Sequence, residues 1–178
     1  MFLTFSQLSQ VEKCKIVSFS DASYKSLPGG GSQGGFVLFL CDENGKCSPL
    51  HWQSRKLRRI VGSSLAAECL ALIEGANSAF YLKSIIEEIF DHNGYRIPVI
   101  CITDNKSLTD AIYSSNVMED KRLMVDMSMI KDKLSHGEID QVRWVDKTKQ
   151  LADCLTKKQA SSEKLRSVLQ QGRMLIDC

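Results

Sequence analysis

Three short apolar segments followed by one long helical segment make up the first half of the chain, and this order limits the folds open to it. Val17, Phe19 and Asp21 share one face of the first segment by the two-residue period of a strand. An Asn-Gly turn at 44–45 joins the second and third segments as antiparallel partners. The predicted elements of this half are strands over 15–21, 34–41 and 48–54 and a helix from the serines at 63 and 64 to about 90.

Strand-like and helical segments alternate in the second half of the chain. The predicted elements are a strand over 99–103, helices over 105–113 and 121–134, a strand over 139–145 and a closing helix from 150 onward. Strands reached through helical crossovers run parallel to the strand they join, so the sheet should be mixed. The sequence thus predicts an α/β fold in which helices flank a five-stranded mixed sheet, with the element order β-β-β-α-β-α-α-β-α. We expect a single domain over 1–178 with its core at about 15–171.

The composition fits this expectation and excludes several classes of protein. The chain has 178 residues, of which 43% are hydrophobic, with 23 Lys and Arg against 21 Asp and Glu, so a disordered chain is excluded. No apolar stretch approaches the ~20 residues of a membrane span, and the first residues lack the features of a signal peptide. We therefore expect no membrane partner and an intracellular location in which the cysteines are free thiols. The nearest metal-like spacing, Cys41, Cys47 and His51, lacks a fourth ligand and is expected to be structural.

Two aspartates stand at the ends of predicted strands whose neighbouring residues are apolar. Asp21 ends the first strand on the face of Phe19, and Asp104 ends the fourth on the face of Ile102. If these strands are parallel neighbours, both carboxylates meet at the carboxyl edge of the sheet, where α/β folds bind ligands. The alternative is that each aspartate caps the turn that follows it.

A third acid, Glu68, falls within the apolar stripe of the long helix. Leu65 precedes it by three residues and Leu72 follows it by four, so the three side chains share one helix face. A glutamate there needs a partner, unless it lies at the margin of the stripe and extends to water. Carboxylates brought together repel one another, and a divalent cation relieves the repulsion. All-oxygen ligation favours Mg²⁺ or Mn²⁺, and two such ions hydrolyse phosphodiesters in two-metal sites.

Short motifs surround these acids, and others precede the long helix and stand near the end of the chain. They are Ser20-Asp21-Ala22-Ser23, Ala67-Glu68-Cys69-Leu70-Ala71, Thr103-Asp104-Asn105, Leu151-Ala152-Asp153-Cys154-Leu155-Thr156-Lys157 and Trp52-Gln53-Ser54-Arg55-Lys56. In this joint order they resemble the RNase H domain of copia-type LTR retrotransposon polyproteins. The resemblance spans roughly 15–171, and the Ala-Asp-x-Leu-Thr-Lys motif at 152–157 is its most specific part.

The resemblance implies an RNase H-like fold and hydrolysis of the RNA strand of RNA–DNA hybrids by four acids and two Mg²⁺ ions, with Mn²⁺ as a substitute. Asp21, Glu68, Asp104 and Asp153 match the four acids, as catalytic residues and metal ligands. One ion near Asp21 and Asp104 is expected to orient the attacking water, and another shared by Glu68 and Asp153 to stabilise the departing oxygen. Asp153 is assigned through the resemblance, since the residues alone also allow it to favour the amino end of a helix.

The resemblance also implies a context, and the sequence departs from the pattern of RNases H in several places, including a loop before the last acid. A reverse transcriptase domain of the same polyprotein is an expected partner, in a cytoplasmic retroelement particle or in the nucleus. Cellular RNases H carry a histidine in a loop before the last aspartate, whereas residues 144–150 contain none and His136 lies earlier, at the end of a predicted helix. We expect slower or different proton handling rather than an inactive protein.

Basic residues cluster next to the predicted acids. Arg55, Lys56, Arg58 and Arg59 fall within five residues before the long helix, and bases outnumber acids over 147–173. Such residues either track the phosphates of a nucleic acid or form an ordinary solvated surface. The predicted nucleic-acid contacts are Ser23, Gln53, Arg55, Lys56, Arg58, Asn105, Lys147 and Lys149.

Two other functions stay open at this point. A catalytically silent RNase H-like module would bind nucleic acid without metal-dependent cleavage, although the presence of all four acids argues against such decay. A nuclease built on the same fold would cut DNA instead of the RNA strand of a hybrid.

Overall fold

Five strands form one mixed sheet in the computed structural model, which describes residues 3–90, 94–115 and 120–174. The strands are β1 (Lys15–Ser23), β2 (Gln33–Cys41), β3 (Cys47–Lys56), β4 (Val99–Thr103) and β5 (Gln141–Trp144), in the spatial order β3-β2-β1-β4-β5. β2 runs antiparallel to both β1 and β3, whereas β4 runs parallel to both β1 and β5. The predicted mixed sheet is therefore confirmed, with its parallel strands reached through helices.

Helices in the described residues cover both faces of this sheet. They are α1 (Ser64–Ile89), α2 (Lys106–Tyr113), α3 (Lys121–Ser135), α4 (Asp153–Thr156) and α5 (Glu163–Gln171). The side chains of Ser63, Asn105 and Asp120 accept backbone N–H groups at the starts of α1, α2 and α3, which explains where these helices begin. Among the helices of the described ranges, none combines the length and the hydropathy that a bilayer-spanning helix needs.

Apolar side chains fill the space between the sheet and the helices on each side. Ile16 of β1 belongs to one buried cluster, and its strand neighbours Val17 and Phe19 belong to the other. α1, α2 and α3 pack on the Ile16 side, while α5 and the residues around α4 pack on the Phe19 side. β1 is buried over almost its whole length as a result, so a charged residue on it lies inside the protein.

The closing helix differs from the prediction, because it is broken into α4 and α5. Thr156 and Lys157 both bind Asp21 of β1, and Lys157 itself has an extended backbone. These contacts hold the end of α4 against the sheet. Ser161 then accepts the N–H of Glu163 at 3.2 Å, where the second helix begins.

Several strand bounds also differ from the prediction: β2 and β3 each begin one residue earlier, and β3 ends two residues later than predicted. β1 continues to Ser23, because its pairing with β2 extends to Gln33, so Asp21 lies within the strand and not at its end. β5 covers only Gln141–Trp144 of the predicted 139–145.

Two glycines allow helices to lie unusually close to the sheet. A Cβ on Gly75 of α1 would stand 2.7 Å from Oγ of Ser18 in β1. A Cβ on Gly35 of β2 would stand 2.8 Å from Cβ of Leu155 in α4. Gly35 is the pairing partner of Asp21, so its missing side chain makes room for α4 beside that aspartate.

The cysteines of the described residues are free thiols. Cys41 and Cys47 face each other in the β2–β3 ladder and belong to the apolar cluster on the Phe19 side. His51 is exposed on β3, and its ring lies against that of Phe36 with 5.3 Å between centroids. These side chains serve packing, which agrees with a structural reading of their spacing.

Candidate active site

Three aspartates from distant parts of the chain come together at the carboxyl edge of the sheet. Asp21 lies in β1, Asp104 directly follows β4, and Asp153 is the first residue of α4. Each offers a carboxylate oxygen, and these atoms all lie within 4.8 Å of one another. Because β1 and β4 are parallel neighbours, with Phe19 paired to Ile102, their C-terminal parts carry Asp21 and Asp104 to the same place. The predicted meeting of these two acids is confirmed, and Asp153 joins them.

Asp21 is fully buried, with 0% of its side chain exposed. Thr156 donates a hydrogen bond from Oγ1 to Oδ2, and Nζ of Lys157 lies 3.2 Å from Oδ1. Burial raises the pKa of Asp21 above its ordinary value in spite of these two contacts, and the charge of Asp104 adds to the rise. Asp21 therefore needs nearby positive charge to remain ionised.

Glu68, the other predicted acid, lies near the start of α1 beside this group but is not one of the three. Its Oε2 atom is buried and has no hydrogen-bond partner among the described residues. Burial, followed by the charges of Asp21 and Asp104, raises the pKa of Glu68 to about 9. Oε2 therefore lies away from water, while Glu68 as a whole is half-buried.

Asp153 reaches the cluster because the residues around α4 are tied to the sheet. The amide of Gln150 donates from Nε2 to the carbonyl of Ser20 at 2.9 Å, and its Oε1 accepts the N–H of Ala152 at 3.1 Å. On the other side, the hydroxyl of Ser54 in β3 donates to the carbonyl of Leu155. A buried side chain and a sheet residue thus fix the short helix that carries Asp153.

Lys157 places a positive charge inside the acidic cluster, and sequence reasoning gave it no role. Its Nζ atom hydrogen-bonds to Oδ1 of Asp153 as well as to Oδ1 of Asp21. Burial opposes its charge, but the hydrogen bond to Asp153 and the charge of Asp21 outweigh this and raise the pKa of Lys157. The available signal was spacing, since residues three and four positions after Asp153 share its helix face. Thr156 and Lys157 occupy those positions.

Trp144 is a second residue at the site that sequence reasoning passed over. Its indole N–H donates to the carbonyl of Asp104 at 3.0 Å, while 43% of the residue is exposed. Trp144 pairs with Thr103 across β4 and β5, which sets the indole beside the residue that follows Thr103. The signal available in the sequence was a tryptophan near the end of the last predicted strand.

The donor set fits a hard divalent cation. Three aspartate oxygens meet, and Glu68, whose Oε2 is buried and unpaired, lies near enough for the charges of Asp21 and Asp104 to raise its pKa. A buried polar atom without a partner costs about 1–3 kcal/mol, and a bound cation would satisfy it. Within residues 3–90, 94–115 and 120–174, this is the one group of three acids, histidines or cysteines close enough to hold an ion.

Three of the predicted nucleic-acid contacts lie close in the chain to the acids, because Ser23 ends β1 and Lys147 and Lys149 precede Asp153 by a few residues. Ser23 and Lys147 line a cavity of about 520 Å³ that also borders Asp153 and Lys157. Lys149 is exposed in the same short 3-10 helix as Lys147, but it lines a different cavity against α5.

The remaining predicted contacts differ in their burial and in the partners that their side chains have. Arg55 forms an ion pair with Glu74 of α1 at 3.0 Å, and the side chain of Asn105 caps α2. Oε1 of Gln53 is buried without a partner among the described residues, whereas Lys56 and Arg58 are exposed. Arg55 and Asn105 thus have structural tasks that the sequence did not indicate, and the nucleic-acid role of the whole set stays a prediction.

Comparison with protein families and with curated proteins found no match to this chain. Solved structures do match. LC11-RNase H1, isolated from compost, superimposes with a TM-score of 0.58 at 18% identity, over 81% of this chain and 94% of its own. LC11-RNase H1 in complex with an RNA/DNA hybrid gives a TM-score of 0.57 at 19% identity, over 85% and 99% of the two chains.

A viral enzyme shares the same architecture. The foamy viral protease-reverse transcriptase, in complex with an RNA/DNA hybrid, gives a TM-score of 0.57 at 16% identity. This match covers 87% of the present chain and 21% of the viral one. Together with the strand order β3-β2-β1-β4-β5, these similarities show that the chain has the RNase H-like fold.

Proposed function

We propose that this protein is a metal-dependent ribonuclease H that hydrolyses the RNA strand of RNA–DNA hybrids. The observation that carries the proposal is the meeting of Asp21, Asp104 and Asp153 within 4.8 Å beside the unpaired, buried oxygen of Glu68. Such an arrangement is unfavourable for the fold alone, because like charges repel and a buried carboxylate oxygen goes unsatisfied. A ligand of opposite charge explains it.

The four acids would hold two divalent ions, Mg²⁺ or Mn²⁺. Asp21 and Asp104 would bind one ion, and Glu68 and Asp153 would share the other. When bound, such ions supply an activated water and stabilise the departing oxygen of a phosphodiester. Glu68 holds its proton in the metal-free chain, because burial raises its pKa to about 9, and it must release that proton to become a ligand.

An RNA–DNA hybrid is the substrate class that the comparisons favour. LC11-RNase H1 and the foamy viral protease-reverse transcriptase were both solved in complex with RNA/DNA hybrids. In the present chain, Ser23 and Lys147 line the cavity beside Asp153, where a lysine and a hydroxyl can contact a phosphate and a 2′-hydroxyl.

The origin and context of the chain are also part of the proposal. The Ala-Asp-x-Leu-Thr-Lys motif at 152–157 supports a copia-type retrotransposon source. A reverse transcriptase domain of the same polyprotein is then the expected partner, since the viral protein that matches over 21% of its own chain is a protease-reverse transcriptase. The matching location is intracellular, in a retroelement particle or in the nucleus.

Digestion of strand-labelled nucleic acids tests this function most directly. The protein is incubated with an RNA–DNA hybrid, duplex DNA and duplex RNA, each with Mg²⁺, with Mn²⁺ and with EDTA. We expect internal cleavage of the RNA strand of the hybrid alone, and only with a divalent ion. Cleavage of duplex DNA would assign the fold to a DNA nuclease instead.

One observation favours a second candidate, a silent nucleic-acid-binding module. The ammonium of Lys157 already contacts Asp21 and Asp153, so a cation from the chain itself partly neutralises the acids. A module of this kind would bind the hybrid with no uptake of Mn²⁺ and no cleavage. A titration with Mn²⁺ beside the digestion separates the two functions.

A further inference from the structure

Lys157 is the one basic side chain that the described structure sets between two of the clustered aspartates. Its Nζ atom hydrogen-bonds to Asp21 at 3.2 Å and also to Asp153. The Lys157 side chain remains 31% exposed, while that of Asp21 is 0% exposed. The ammonium therefore enters the cluster from the solvent side, and the side chain can move back toward solvent.

The position of this ammonium conflicts with the use of the same oxygens by a metal ion. Oδ1 of Asp21 and Oδ1 of Asp153 are the atoms that Lys157 contacts. A lysine ammonium offers three donors and one positive charge, whereas a divalent ion offers twice the charge and binds carboxylates directly. Both cannot hold the same pair of oxygens at close range, because the two cations repel each other.

We propose that Lys157 is an internal counter-ion of the metal-free protein, and that divalent metal binding expels its ammonium from Asp21 and Asp153. This inference rests on the metal site of the proposed function. The lysine keeps the aspartates together while no metal is present, and it competes with the metal when one arrives. Its four-carbon stem can swing without any change of the backbone.

The cavity beside the cluster offers a place for the expelled ammonium. Lys157 already lines this cavity of about 520 Å³, together with Ser23 and Lys147. An ammonium that moves there joins Lys147 and Lys158, which line the same cavity at the edge of the metal site. Lysines side by side are unfavourable until an anion joins them, so a phosphate of the hybrid would complete the exchange.

Removal of the Lys157 charge gives the sharpest test. Lys157→Met keeps the length of the stem, and Lys158→Met serves as the matched control because Lys158 is the exposed next residue on the same cavity. Thermal unfolding is measured in EDTA, and the Mn²⁺ dissociation constant is measured by titration calorimetry. We expect Lys157→Met to unfold at a lower temperature in EDTA and to bind Mn²⁺ about tenfold more tightly. Lys158→Met should match the wild type in both.

A charge-preserving variant covers the case in which Lys157→Met does not fold. Lys157→Arg should retain the unfolding temperature in EDTA and bind Mn²⁺ more weakly than the wild type, since a guanidinium holds two carboxylates through fixed, paired donors. Equal or weaker Mn²⁺ binding by Lys157→Met, or equal Mn²⁺ binding by Lys157→Arg, would overturn the proposal.

Hybrid cleavage by the wild type, measured in parallel, separates this inference from the proposed function. If the wild type cleaves the hybrid and Lys157→Met has an unchanged Mn²⁺ affinity, the counter-ion role of Lys157 is wrong and the ribonuclease function stands. If Lys157→Met binds Mn²⁺ more tightly but the wild type cleaves no hybrid, the ribonuclease function is wrong and the counter-ion role of Lys157 stands. A wild type that takes up no Mn²⁺ would overturn both.

Discussion

Two groups of charged residues in this molecule are arranged in opposite ways. At the carboxyl edge of the sheet, carboxylate oxygens of Asp21, Asp104 and Asp153 lie within 4.8 Å of one another, and Lys157 contacts Asp21 and Asp153. The basic run at 55–59, which covers the end of β3 and the residues after it, is dispersed instead. Its two outer arginines each take a separate acid, Arg55 with Glu74 and Arg59 with Asp126.

The difference separates a ligand site from a structural surface. Dispersed ion pairs satisfy their own charges, so the fold accounts for them without a ligand. Converging acids raise the free energy of the folded state, and burial makes the effect larger. We therefore expect substitutions among the acids to reduce activity strongly and to raise the stability of the fold. Substitutions among the bases should change activity little and should either lower the stability or leave it unchanged.

The largest effect is expected from Asp104→Asn. An amide can occupy the same space but binds a divalent ion far more weakly than a carboxylate. Mg²⁺-dependent hybrid cleavage should fall about a thousandfold, equivalent to about 4 kcal/mol of transition-state stabilisation. Initial rates on a strand-labelled hybrid measure the loss, and circular dichroism with thermal unfolding checks that the fold is intact.

Asp110→Asn is the matched control for that variant, because Asp110 is an exposed aspartate on α2. It should cleave the hybrid at the wild-type rate. Full activity of Asp104→Asn would contradict the assignment of the acidic cluster as the catalytic centre.

The next effect concerns the stability of the metal-free protein against pH. Glu68 titrates at about 9 in the folded chain, compared with an ordinary value of 4.5 for its pKa. Between these pH values the unfolded chain releases the proton that the folded chain retains, so a rise in pH favours unfolding. The wild type should lose up to about 1.4 kcal/mol of unfolding free energy per pH unit in this range.

Glu68→Gln has no proton to lose, so it should be more stable than the wild type at pH 8 in EDTA, and the gain should vanish toward pH 5. Urea unfolding at several pH values measures the difference. Asp21 also has a raised pKa, but it is present in both proteins and cancels in the comparison. Glu88→Gln, an exposed position on α1, should follow the wild type. Parallel stability curves for Glu68→Gln and the wild type would contradict a buried, protonated glutamate.

Sequence reasoning predicted the sheet and the positions of Asp21 and Asp104 well, because their signals are local. The alternation of Val17, Phe19 and Asp21, and the helical spacing around Glu68, depend only on neighbouring residues. Parallel pairing of β1 and β4 then follows from the helical crossover between them, and it brings Asp21 and Asp104 together. Asp153 required the resemblance, because its place depends on how the chain returns to the sheet.

The residues that were missed depend on contacts between distant parts of the chain. Lys157 and Thr156 end α4 by binding Asp21, which lies more than a hundred positions earlier. The same is true of the arginine partners, since Glu74 and Asp126 belong to helices that pack beside the basic run only after folding. Periodicity cannot show such pairs, so the basic run was read as one surface although the structure divides it.

The smallest effect is expected from replacing Lys56 and Arg58, the two exposed residues that lie between the paired arginines of the basic run. Lys56→Ala combined with Arg58→Ala should weaken hybrid binding a few-fold and lower the slope of log affinity against log salt by about two, because each lost phosphate contact releases about one counterion fewer.

Arg59→Ala is the counterpart at an arginine that forms an ion pair, because it leaves Asp126, which is 4% exposed, without its ion-pair partner. That variant should lose about 1–3 kcal/mol of unfolding free energy and keep the salt slope. Fluorescence anisotropy of a labelled hybrid in the Asp104→Asn background gives the slopes without cleavage, and urea unfolding gives the stabilities. Equal salt slopes for the wild type and the double variant would show that the exposed bases contact no phosphates, and an unchanged stability of Arg59→Ala would show that the paired arginine has no structural task.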